Sequence, residues 1–135
     1  MKTTKILYWI STVIICLMSS TAIFMNSKMA IDGTAHLGIP RYLGLEVSIG
    51  QLIGLILLII PAIPSRLKEW AYVGFGIMYL TAGIGHIVIG NHLDGTIVPS
   101  STEHNDLNEA IMAMVFFGLL LVSYFSYHKL QKGKS

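Results

Sequence analysis

The chain has 135 residues, 53% of them hydrophobic and only 12% charged, and its mean hydropathy is +0.67. A soluble domain of this length carries about 25% charged residues, so the composition excludes an ordinary water-soluble globule and points to a single membrane domain, 1–135. A net charge of +2 is too small to argue for nucleic acid, and a lone cysteine, Cys16, excludes an internal disulfide, a Cys-x-x-Cys redox pair and a cysteine-based zinc site.

A hydrocarbon core of about 30 Å needs roughly 20 helical residues. Four continuously apolar segments meet that length, at about 6–25, 42–60, 70–89 and 107–127. They do not alternate as barrel strands would. The expected fold is therefore all-α, a membrane four-helix bundle.

The first segment has features of a signal peptide: Lys2 and Lys5 precede it, and Ser19, Ser20 and Ala22 are small. Its apolar stretch nevertheless continues through Ile23, Phe24 and Met25, longer than a usual h-region, and Ile15 makes a poor lipoprotein cleavage site before Cys16. The reading is a retained span. Residues 26–41 form a partly apolar loop through Met29, Ile31, Leu37 and Ile39, expected to fold back as a short interfacial helix or flap. The second span ends at Pro61, and the short stretch to Glu69, broken by Pro61 and Pro64, makes spans two and three an antiparallel pair. Residues 90–105 are polar and acidic. Asp106-Leu107-Asn108-Glu109 has capping-box spacing and marks the start of the last helix.

Orientation follows from lysine and arginine. Lys2, Lys5, Arg66, Lys68, Lys129, Lys132 and Lys134 share one side; of the nine basic residues only Lys28 and Arg41 fall on the other. Both termini are therefore expected in the cytoplasm. Tyr8, Trp9, Trp70, Tyr72, Tyr124 and Tyr127 lie toward that same side, where amphipathic rings settle at a membrane interface. Small residues recur at fourfold spacing as Thr12, Cys16 and Ser20 in span one and as Gly50 and Gly54 in span two, and Ala82, Gly83 and Gly90 are the small residues of span three. They read as close helix packing within the bundle, with a homo-oligomer seam as the alternative.

Ionisable residues inside spans are costly and usually face inward. Glu46 and His86 each lie about one turn inside the outer end of their span, on neighbouring antiparallel helices. Glu46 shares a fourfold series with Gly50 and Gly54, and His86 one with Ala82 and Gly90. Both are expected to point into the bundle, either pairing with each other or lining a ligand pocket. Tyr79, seven residues before His86, lies on roughly the same face, and Gln51 sits deeper in span two. Arg41 and Glu109 complete the candidate binding set, with His36, His92, His104 and Asn108 as further polar groups beneath the first outer loop. No two histidines have a helical ligand spacing such as i, i+4, and no haem attachment, phosphate-loop or nucleophile motif is present.

The run His36-Leu37-Gly38-Ile39-Pro40 with Tyr42 is followed by Gly50 and Gly54 before Pro61. Next comes Leu67-Lys68-Glu69-Trp70-Ala71-Tyr72 with Gly74 and Phe75, and then Ala82, His86 and Gly90. With these residues the chain resembles the DoxX-like family of small four-helix membrane proteins. The Lys-Glu-Trp-Ala-Tyr stretch is the most specific part. The resemblance implies a bacterial inner-membrane location and a link to redox or oxidative-stress complexes, including thiosulfate:quinone oxidoreduction. It supplies no catalytic residue. Two functions follow as expectations. One is an accessory subunit of a redox or stress-response assembly, held by a membrane or redox partner protein. The other is a lipid- or quinone-binding protein, an enzyme or not, with an outer-side pocket at Glu46 and His86. A quinone is the cofactor that either reading would admit.

Overall fold

A computed structural model of the chain describes residues 2–90 and 106–133. The elements, in order, are α1 (Lys2–Ser19), which tightens into a 3-10 stretch (Ser20–Phe24), α2 (Lys28–His36), α3 (Arg41–Ile59), α4 (Ser65–Gly90) and α5 (Asp106–Lys132). Four of these, counting α1 with its extension, are long and apolar enough to cross a membrane.

Local chemistry explains where each element changes. At the end of α1 the Ser20 and Thr21 hydroxyls donate to the Leu17 and Met18 carbonyls, at 2.6 and 2.7 Å. Such back-bonding competes with the helical ladder and favours a tighter last turn. The flap anticipated in the first loop is α2. The Ser27 hydroxyl caps it by accepting from the Ala30 amide at 3.2 Å. It stops at Gly38, whose φ of +70° is open to glycine at little cost. The Gly38 amide then donates to Ala35 and the Ile39 amide to Thr34, the paired bonds of a Schellman motif. Pro40 follows and opens α3. At the other end of α3, Pro61 keeps Ile60 extended, with ψ of 116°.

The four long helices close into a ring. α5 lies between α1 and α4, α3 lies beside α4, and α3 returns to α1. Ile15, Leu58, Thr12 and Ser123 are essentially inaccessible at the centre, with Cys16, Phe75, Tyr79 and Leu120 around them. Two glycines let neighbouring helices approach. A methyl built on Gly54 would sit 2.8 Å from the Phe75 ring, and one on Gly83 would overlap the Met114 methyl. Gly50 contributes nothing of this kind, because the space around its Cβ position is open. The periphery carries the apolar side chains that a soluble protein would bury, among them Ile6, Leu17, Phe24, Ile53, Trp70, Ile77 and Phe125. Lipid is the solvent that suits such a surface.

The rings near the α3–α4 hairpin do not all form a surface belt. Trp9 and Trp70 are exposed, but Tyr8, Tyr72 and Tyr127 turn inward. For Tyr72 the centre offers the hydroxyl a partner: Tyr72 Oη and Thr12 Oγ1 each lie 2.7 Å from Ser123 Oγ.

Candidate functional site

Among the described residues, ionisable side chains gather in two groups, one at each end of the bundle. At the end that carries α2, His86 projects from the last turns of α4 and is 8% exposed. Its Nε2 is 2.9 Å from Glu109 Oε2, on the first turns of α5. A ring N–H donating to a carboxylate at that distance is a charge-assisted hydrogen bond, and it joins α4 to α5 where both approach the surface. The flap reaches the same region. Leu37 Cδ2 lies 3.4 Å from the Cβ position of Gly85, the residue before His86, and Thr34 Cγ2 lies 3.1 Å from that of Gly44. So α2 rests on α3 through Thr34 and extends to α4 through Leu37.

The candidate residues separate. His86 and Glu109 come together. Arg41 instead fastens the loop before α2: Nη1 donates to the Met25 carbonyl at 2.9 Å and Nη2 to Asn26 Oδ1 at 2.5 Å. The Gln51 amide donates to the Met78 sulfur at 2.8 Å, between α3 and α4. Tyr79 is about two turns deeper than His86, stacked between Phe75 and Phe116 at centroid distances of 6.1 and 5.9 Å. The side chain of His36, and residues His92 and His104, lie outside the described residues, as does the side chain of Asp106 in the expected capping box.

Glu46 overturns an expectation. It is exposed on the outer surface of α3, and no described residue pairs with it. The reason is rotational. Four residues of helix turn through about 400°, so each fourfold step drifts about 40°. Glu46, Gly50 and Gly54 therefore spread over about 80°, and only Gly54 reaches the buried side. Gly44 and Leu58 are also buried, and Glu46 lies about 200° around the helix from Gly44.

The second polar group, at the hairpin end, was not selected as a site from the sequence. Lys68 is only 3% exposed. Its Nζ lies 3.4 Å from the Leu58 carbonyl, in the last turn of α3, and 5.7 Å from the centroid of the Tyr127 ring. A cation at a helix C-terminus meets the negative end of the helix dipole and an otherwise orphaned carbonyl. Beside it, His128 Nε2 is 3.6 Å from Glu69 Oε1, and the His128 ring contacts Tyr124 edge-on at 4.4 Å. The available signal was the Leu67–Tyr72 run itself: Lys68 lies three residues past Ser65, where a short side-chain reach back to the preceding helix end is feasible.

His86 and Lys68 are each bonded to a side chain or carbonyl of a neighbouring helix, whereas His128 Nε2 is buried with no hydrogen-bond partner among the described residues. The arrangement ties helix ends together. Among the described residues, no three His, Cys, Asp or Glu side chains converge as a metal site would require.

Comparison with known proteins adds one match. A family model, described as DoxX-like family, matches residues 8–102. No curated protein and no solved structure matches the chain.

Proposed function

The chain belongs to the DoxX-like family, and from that premise we propose that it is a non-catalytic accessory subunit of a redox or stress-response assembly in the bacterial inner membrane. The observation that carries this reading is the engagement of His86 and Lys68 within the bundle. His86 is held by Glu109 and Lys68 by the Leu58 carbonyl. General acid–base or nucleophilic chemistry needs a group within reach of a substrate, whereas these groups are spent on joining helices. The filled centre around Ile15 and Leu58 supports the same reading. The basic residues support an orientation with the α2 end outward and both termini cytoplasmic.

The test is complementation. In cells lacking the chain, the amount of an assembled membrane redox complex on native gels should fall. His86→Asn and Glu109→Gln variants with normal membrane abundance should restore it. If either variant is abundant yet leaves the phenotype unrestored, the pair acts on a ligand, and a lipid- or quinone-binding protein becomes the better reading.

A further inference from the structure

The least covered of the four long helices is α3. Its outward face carries Tyr42, 66% exposed, then Glu46, then Ile49, Ile53 and Ile56, each about half exposed. Glu46 lies five residues into the helix, about 7 Å below its start. In a membrane that depth falls near the boundary between headgroups and acyl chains, where a carboxylate facing lipid is costly unless something neutralises it. Among the described residues no cation pairs with it. The nearest cation in sequence, Arg41, is committed to Met25 and Asn26 on another side of the helix.

What the face does offer is a matched pair of groups. Tyr42 and Glu46 are four residues apart and so lie one above the other. A carboxylate beside an exposed aromatic ring attracts an ammonium ion twice, by charge and by the ring quadrupole. Gly50, one turn further in, leaves open space beside the helix, and below it the isoleucines make an apolar strip suited to an acyl chain. A molecule with an ammonium at headgroup level and hydrocarbon beneath it fits all three features.

We propose that the outward face of α3 binds a phospholipid with a primary ammonium headgroup, such as phosphatidylethanolamine. Glu46 accepts hydrogen bonds from the ammonium, and the Tyr42 ring covers it. The proposal distinguishes primary from quaternary headgroups, because choline has no N–H to donate to the carboxylate.

The experiment is native mass spectrometry of the full-length protein, released from mixed vesicles containing equal amounts of phosphatidylethanolamine, phosphatidylcholine and phosphatidylglycerol. The expected result is preferential retention of one phosphatidylethanolamine per chain. Glu46→Gln should lower that retention about tenfold. Tyr42→Leu should lower it about threefold, and Tyr42→Phe, which keeps the ring, should leave it near normal. Unfolding in detergent confirms that each variant remains folded. Equal retention of the three lipids, or an unchanged profile in folded Glu46→Gln, overturns the proposal. So does rapid disulfide crosslinking of Ile53→Cys in a Cys16→Ser background, which would mean that a second copy covers the face. Crosslinking to a different protein at the same position would do so equally, by showing a partner helix there.

Discussion

The two members of the pair at the α2 end differ in how much water they keep. The His86 side chain is 10% exposed and that of Glu109 37%. Removing Glu109 strips a buried ring of its carboxylate, whereas removing His86 leaves a carboxylate that water can still reach. We expect Glu109→Leu to destabilise the bundle by about 1–3 kcal/mol, the cost of a buried polar group that loses its partner. His86→Leu should cost less than that. The double variant should recover part of the loss, because replacing both members of a buried pair with apolar groups avoids desolvating either. Unfolding of the purified protein in mixed micelles measures all three. Equal losses for the two single variants, summing in the double, would show that the pair contributes no coupling. Cys16 stands in contrast, a buried thiol among apolar neighbours. It acts there as a small packing side chain.

At the level of elements, the contrast between Gly50 and Gly54 tests the rotation of α3. A Cβ at Gly54 would press on the Phe75 ring at 2.8 Å, while one at Gly50 meets nothing within 4 Å. Gly54→Ala should therefore destabilise the bundle by about 1–3 kcal/mol through overpacking. Gly50→Ala should be neutral or gain up to about 1 kcal/mol, since alanine is the better helix former. The same micelle unfolding, run on the pair, gives the answer; comparable losses at both positions would place Glu46 much closer to the bundle. This rotation is also where the sequence was least readable. Span length, the proline stops at Pro40 and Pro61, and the flap before Arg41 are legible because hydropathy and turn chemistry act locally. α3, however, is apolar nearly all round, so its burial pattern has no strong amphipathic stripe to reveal its orientation. Shape decides it instead, through Phe75 against Gly54 and Thr34 against Gly44, and those contacts join residues from different elements. The inward setting of His86 follows from the cost of an ionisable group in lipid, but which member of the candidate set meets it does not: its partner is Glu109 of α5, not Glu46 of the sequence-adjacent α3. A lysine beside a loop is ordinarily solvated, so the sequence does not distinguish Lys68. Here the Leu58 carbonyl and the Tyr127 ring draw it in.

For the whole molecule, the ring of helices places α2 at one end and the α3–α4 hairpin at the other, with the start of α1 and the end of α5 on the hairpin side. Lys2, Lys5, Arg66, Lys129 and Lys132 lie at the hairpin end, together with the buried Lys68, while Lys28 and Arg41 lie at the α2 end. Arg41 is further tied down by its two bonds to the loop, so Lys28 is the one uncommitted cation among the described residues at that end. Short loops rich in lysine and arginine are retained in the cytoplasm during insertion, and the asymmetry predicts that the hairpin stays inside. Single cysteines introduced at Ser27 and Ser65 in a Cys16→Ser background read this directly. Ser27 lies just before α2 and should react with an impermeant maleimide in intact cells. Ser65 begins α4 and should react only after the membrane is permeabilised. The reverse pattern would place the α2 end, with Glu46 and the His86–Glu109 pair, in the cytoplasm. Labelling of both sites in intact cells would mean that the helices do not all cross.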